Sequence, residues 1–194
     1  MLAKDDLLRA IAGKNRGLLA TPEDKQAILS TVNQLERFNP TPIPTEAGEL
    51  LDGDWRLLYT TSQGLLGINR FPLFELGAIY QCIRLREGKI YNIAELYGLP
   101  LLESLVAISA QFEAVSERRV EVKFERSIAG LQRLMNYRSP TSLVQQIETG
   151  KNFAALDFKL NSREQPAWLE TTYLDRNLRV GRGNEGNLFV LAKV

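Results

Sequence analysis

The residues best suited to chemistry lie near the carboxyl end of the chain, where Asp175, Arg179 and Arg182 follow one another closely. A guanidinium can stack on an aromatic ring and can also pair with a carboxylate. Because three positions separate the two arginines, they fall on opposite faces of a strand, and only one of them can point inward. For Asp175 two roles stay open. It could pair with the inward arginine and fix a ligand's head group, or it could accept hydrogen bonds from the amides of the turn that follows it.

The composition excludes most familiar catalytic machinery. The chain has no histidine and a single cysteine, Cys82. Ser-His-Asp and Cys-His catalysis and histidine-ligated zinc are therefore excluded, and a lone cysteine cannot form a disulfide within the chain. A net charge of +1 provides no broad attraction for nucleic acid. We expect a binding protein and not an enzyme, with no cofactor and no metal.

The tripeptide Gly53-Asp54-Trp55 resembles the G-x-W motif of lipocalins. In that architecture the tryptophan closes one end of a β-barrel, and an arginine from the last part of the chain lies over its ring. We predict that Gly53, Trp55, Asp175 and Arg182 close the barrel, with Arg179 as the other candidate for the inward arginine.

Two helices precede the predicted sheet. The first covers about residues 3–13, and the second begins with Thr21 as N-cap, Pro22 at the first helical position and Asp24 in the capping-box position. A proline-rich connector at 39–44 then favours an extended chain. We expect residues 1–44 to pack as a helical segment on a barrel domain formed by residues 45–194.

From Asp54 onwards the hydrophobic period changes from 3.6 to 2. Short alternating segments joined by brief turns, without crossover helices between them, predict antiparallel pairing. The fold class is therefore mainly β: a lipocalin-like barrel of about eight or nine strands.

The predicted interior has mostly apolar side chains and a few polar groups. That mixture suits an amphiphile with one polar head. The alternative is a barrel packed solid by its own side chains. The residues predicted to bind a ligand in the interior are Tyr59, Ile79, Gln81, Ile83, Asn92, Phe112, Phe124, Arg179 and Arg182.

A long apolar segment at 62–77 interrupts the strands and is predicted to lie at the barrel mouth. It could fold over the mouth as a lid, or it could contact a membrane or lipid-body surface. Its predicted contact residues are Leu65, Leu66, Ile68, Phe71 and Phe74.

Three segments resemble the plastid lipid-associated protein family, also called the fibrillin or plastoglobulin family, of plants and cyanobacteria. They are LDGDWRLLYTTS from Leu51, YNIAE from Tyr91, and the terminal block with its core Tyr-Leu-Asp-x-x-Leu-Arg-x-x-Arg-Gly from Tyr173 to Gly183. The resemblance runs from about residue 21 to the end.

The resemblance implies a barrel that binds an isoprenoid quinone, a carotenoid or a fatty acyl lipid. It implies a place at thylakoid membranes or lipid bodies such as plastoglobules, a role in photoprotection or lipid homeostasis, and a prenyl-lipid biosynthetic enzyme as a possible partner. The alternative function is a ligand-free scaffold that coats lipid bodies or docks that enzyme. Since the chain begins without a transit segment, we expect either a cyanobacterial member, peripheral to the thylakoid on its cytoplasmic side, or a mature form that has lost its import segment.

Overall fold

A computed structural model describes residues 2–67, 75–98, 100–160 and 167–194. Its helices are α1 Leu2–Ile11, α2 Pro22–Glu36, α3 Gly48–Leu51, α4 Gln63–Leu66 and α5 Pro140–Glu148. Its strands are β1 Gly53–Thr60, β2 Glu75–Arg84, β3 Lys89–Tyr97, β4 Ser104–Ala114, β5 Arg119–Leu131, β6 Leu156–Lys159, β7 Ala167–Leu174, β8 Leu178–Gly183 and β9 Leu188–Lys193.

Eight of these strands form a closed antiparallel barrel. The order runs from β1 through β2, β3, β4 and β5 to β7, β8 and β9, and β9 pairs with β1 to complete the circle. Among the described residues, the ninth strand, β6, pairs with the second half of β5 alone, beyond the stretch that pairs with β7. The predicted lipocalin-like barrel is confirmed.

One end of the barrel, where β1 begins, is closed by the segment that precedes this strand. A 3-10 turn at Pro44–Glu46 and α3 cross this end, and the Thr45 amide donates to the Glu117 carbonyl oxygen at 3.2 Å. The opposite end, where β1 leads into α4, is called the mouth below. The sequence pattern had assigned no structure to the closing segment, because its two helical pieces are too short to show a period.

The first two helices pack outside the barrel. Ile28, Val32 and Leu35 of α2 are buried against the outer face of β8 and β9, and the predicted Thr21–Asp24 capping box forms. On another part of the wall, Leu143 and Val144 of α5 cover Ile93. Among the described residues, no helix has the length and apolar character needed to cross a membrane.

Tyr59 was predicted inside the barrel but lies outside it. A β-bulge in β1 shifts the pairing with β9 between Leu57 and Tyr59. The extra residue, Leu58, breaks the alternation. Leu57 therefore packs in the barrel core, whereas Tyr59 packs with the helices α1 and α2.

Candidate binding site inside the barrel

The closed end of the barrel is built around Trp55, whose side chain is fully buried. Its indole N–H donates to the Leu51 carbonyl oxygen of α3 at 2.9 Å. The Arg179 guanidinium lies 5.1 Å and the Lys193 ammonium 5.2 Å from the ring centroid. Burial, reinforced by the positive charge of Arg179 and opposed by Asp52, lowers the pKa of Lys193. The predicted pairing of tryptophan with an arginine is thus present, and Arg179 supplies it.

A row of polar side chains leads from this floor up the inner wall. Arg179 reaches from β8 across the interior and donates to the Gln81 side-chain oxygen on β2. The Gln81 amide in turn donates to the Asn92 side-chain oxygen at 2.9 Å. The Arg179 Nε has no hydrogen-bond partner among the described residues. Burial lowers the pKa of Arg179 to about 9, so the guanidinium is still cationic at neutral pH.

A cavity of about 290 Å³ occupies the mouth end of the barrel. Beneath it lies a recess of about 60 Å³, which reaches Arg179. Leu65, Gln81 and Asn92 line both spaces, so the recess opens directly towards the mouth. The remaining wall of the mouth cavity is mostly apolar and includes Ile108, Val122, Phe124, Leu169 and Phe189.

Most residues predicted to face the interior do so. Ile79, Gln81, Asn92 and Arg179 line the recess. Ile83 and Phe112 belong to the packed core nearer the closed end. Phe124 lies at the edge of the wall, where it lines both the mouth cavity and a groove on the outer surface. The closed end is therefore filled, while the mouth end keeps free volume.

Arg182 was predicted both to bind a ligand and to close the barrel, and the structure places it outside. Its guanidinium donates two hydrogen bonds to Glu36 of α2, both at 2.9 Å, and a third to Asn33. The hydrogen bond with Glu36 raises the pKa of Arg182. With Arg179 directed inward, the spacing of three directs Arg182 towards the helices.

Asp175 takes the turn role and not the arginine-pairing role. One carboxylate oxygen accepts from the amides of Asn177 and Leu178, both at 2.7 Å. The other accepts from Lys4 of α1 at 2.7 Å and from the Tyr173 hydroxyl at 2.8 Å. Asp175 therefore ties the β7–β8 turn to the first helix on the outside of the barrel.

Gly53 lies where β1 leaves the closed end, with a φ of +120° that side-chain-bearing residues rarely adopt.

At the mouth, Leu65 lines the cavity and Leu66 is buried. Ile68, Phe71 and Phe74 lie outside the described residues. The choice between a lid and a surface contact for this segment stays a prediction.

Several wall residues of the C-terminal strands were missed by the sequence reasoning, although the strands themselves were recognised. Leu169 and Thr171 of β7 and Phe189 and Leu191 of β9 line the recess. Their alternate spacing within each strand could have identified them. No sequence pattern could have identified Lys193 as a neighbour of Trp55, because this contact depends on the pairing of β1 with β9.

A larger concavity, of about 680 Å³, lies on the outer surface between α5, β6 and the wall. Charged side chains dominate it, including Lys89, Lys123, Arg126, Glu125 and Glu148. An apolar ligand gains nothing from such a surface, so the cavity in the barrel is the candidate site in spite of its smaller volume. Within the described ranges, no three acidic or cysteine side chains are grouped to hold a metal ion.

The model of the PAP_fibrillin family matches residues 1–192. The chain belongs to the PAP_fibrillin family. The match begins at residue 1 and so includes the first helix, which the sequence resemblance had left out. PAP_fibrillin membership explains why the terminal block and the Gly53-Asp54-Trp55 segment occur together in one chain.

Curated relatives are about one third identical to this PAP_fibrillin chain over the aligned positions. A light-induced chloroplastic protein of Solanum tuberosum is 33% identical over 219 aligned positions, covering 99% of this chain and 67% of the relative. A chromoplast-specific carotenoid-associated protein of Cucumis sativus is 32% identical, covering 98% and 67%. A plastid-lipid-associated protein of Citrus unshiu is 32% identical with the same coverage. No solved structure matches the chain significantly.

Proposed function

We propose that this protein binds one small hydrophobic molecule inside its barrel and does not catalyse a reaction. The observation that carries the proposal is the mostly apolar cavity at the mouth, which continues into the recess above Arg179. Its volume of about 290 Å³ is near the lower end of typical ligand sites, roughly 300–1,000 Å³. An elongated molecule would therefore be only partly enclosed, with the rest of its length at the mouth.

The wider setting of the proposal is a peripheral place at a thylakoid membrane or lipid-body surface. Two of the relatives are named for their association with plastid lipid or with carotenoid. Exposed apolar side chains around the mouth would suit contact with such a surface. They are Tyr97, Leu101, Leu102, Leu134, Leu156 and Phe158. An isoprenoid quinone, a carotenoid and a fatty acyl lipid are the ligand classes to test; photoprotection and the docking of a prenyl-lipid biosynthetic enzyme stay predictions from the family.

The proposal is tested by filling the cavity. Ile108 lines the mouth cavity, so Ile108→Trp should place an indole where the ligand would lie. We expect the wild-type protein to release a co-purified lipid into organic solvent, and to bind at least one of the three ligand classes saturably in calorimetric titration. The Ile108→Trp variant should lose both properties while keeping its circular dichroism spectrum.

Val115→Trp is the matched control, because Val115 is exposed in the β4–β5 turn at the closed end. It should bind ligand as the wild type does. If wild-type protein carries no lipid and binds none of the three classes, the carrier function is wrong. The scaffold alternative, in which the protein coats lipid bodies without an internal ligand, would then be preferred.

A further inference from the structure

We infer that the recess selects a long-chain carboxylate, such as a fatty acid anion, whose head group is held by Arg179 and whose chain extends towards the mouth. This inference rests on the proposed function and specifies its ligand. It starts from the burial of Arg179, which is 1% exposed and lines the recess.

A buried cation needs a compensating partner, and Arg179 has no anionic one in the described part of the chain. None of the described residues that line the recess or the mouth cavity is acidic. Gln81 accepts one hydrogen bond and the Trp55 ring faces the guanidinium, but both are neutral. The Nε hydrogen has no acceptor in the described part of the chain. A carboxylate in the recess would supply the negative charge that compensates the guanidinium.

Three other arginines of this chain form ion pairs with carboxylates. Arg182, three residues along the same strand, forms a paired contact with Glu36 on the outer face. Arg84 pairs with Asp54 at 2.8 Å, and Arg126 pairs with Asp157 through two hydrogen bonds. These three arginines, which are more exposed, thus have carboxylate partners, whereas Arg179 has none among the described residues and lines the recess instead.

The geometry also sets the direction of binding. The recess of about 60 Å³ accommodates a small planar head group, and Gln81 and Asn92 continue the polar row beside it. Above them the wall turns apolar, with Ile108, Val122 and Phe189 around the mouth cavity. A molecule with one carboxylate and one apolar chain matches this gradient when its head enters first.

The test compares oleate with methyl oleate, which has the same chain and no charge, by calorimetric titration of delipidated full-length protein. Wild-type protein should bind oleate at least about tenfold more tightly, as expected for a hydrogen bond to a charged group. Arg179→Met should abolish this preference by weakening oleate binding alone. Arg182→Met, on the same strand but outside the barrel, should keep the preference.

Gln81→Glu covers the possibility that Arg179→Met fails to fold. The new carboxylate would stand where the Gln81 oxygen already accepts from Arg179, so it should replace the ligand's head group. We expect this variant to lose the preference for oleate, to keep binding methyl oleate and to melt at a higher temperature than the wild type.

The outcomes separate this inference from the proposed function. Equal binding of oleate and methyl oleate by wild-type protein would overturn the head-group assignment and leave the carrier function standing. A preference that survives in Gln81→Glu would also overturn it. Absence of saturable binding for both compounds and for quinone and carotenoid would overturn the carrier function itself.

Discussion

At the scale of single residues, Asp175 shows how one side chain joins three parts of the molecule. It fixes the β7–β8 turn through two amides, accepts from Tyr173 of β7, and pairs with Lys4 of α1. Burial raises the pKa of Asp175, but the hydrogen bonds from Lys4, the turn amides and Tyr173 outweigh it and hold the pKa below its ordinary value. The charged form is therefore the one that the folded state favours.

Asp175→Asn should lower the free energy of unfolding at pH 7 by about 1–3 kcal/mol, because the charged acceptor is lost and an amide donor faces Lys4. A carboxyl whose folded pKa is depressed stabilises the protein above its unfolded pKa of about 4 and loses that contribution as pH falls through the folded value. The difference in the free energy of unfolding between the wild type and Asp175→Asn should thus become smaller at acidic pH. Urea unfolding at pH 7 and pH 3 measures both effects.

Asp6→Asn is the control for this comparison, since Asp6 pairs with Arg9 on the exposed side of α1. Exposed ion pairs contribute about 0–1 kcal/mol. Equal losses for Asp6→Asn and Asp175→Asn would contradict the role assigned to Asp175.

At the scale of elements, α2 illustrates that the helices are part of the same packed structure as the barrel. Its apolar stripe meets Val180 and Leu188, whose side chains are on the outer face of the wall. The Arg182–Glu36 pair joins β8 to the end of the same helix. The helix is therefore bound to the strand that also supplies Arg179 to the interior.

Leu35→Ala should lower the free energy of unfolding by about 2–5 kcal/mol, the usual cost of removing a buried leucine side chain. Leu29→Ala, on the same helix, is the matched control: Leu35 is 3% exposed and Leu29 is 43% exposed. Chemical denaturation followed by circular dichroism gives the two values. Similar losses for both variants would mean that the apolar stripe does not dock α2 on the barrel.

At the scale of the whole molecule, the mouth differs from the closed end because an inner face of the sheet continues beyond it and is exposed. Phe158 of β6 pairs with Ser127, which pairs with Ile108 of the cavity wall, so the three share one face of the sheet. Because β6 lies outside the closed part of the barrel, this inner face continues beyond the mouth and leaves Phe158 56% exposed. The face that carries Ile108 in the cavity therefore extends to the exposed Phe158 at the surface.

Phe158→Ser should weaken binding to phosphatidylcholine vesicles by roughly tenfold, in line with about 1.5–3 kcal/mol for burying a phenylalanine side chain. Phe38→Ser is the control, because Phe38 is 74% exposed and precedes Asn39, which contacts Leu174 at the closed end. Vesicle flotation measures the bound fraction. Equal weakening by both substitutions would show that the mouth is not the surface that contacts lipid.

The family could be recognised from its motifs in the amino-acid sequence. The barrel, the α2 cap and most of the inward positions could be predicted as well, because turns and alternation are local properties of the chain. The sequence also placed a tryptophan and an arginine at the barrel floor. The tertiary structure decided which arginine it is. In the strand register, Arg179 lies opposite Leu191, and Leu191 lies opposite Leu57. Leu57 is two residues from Trp55 on the inner face, so Arg179 also points inward. Arg182, three residues further along β8, points outward and pairs with Glu36.

The tertiary structure also decided that Tyr59 lies outside and that the free volume is at the mouth. The bulge inserts Leu58 between Leu57 and Tyr59, and because all three side chains are hydrophobic, the sequence pattern of β1 does not reveal which of them faces inward. Cavity volume depends on how side chains from distant strands fill a common space, and no segment of the chain carries that information alone. For the same reason, only the packed structure shows that no acidic residue among those described lines the recess around Arg179.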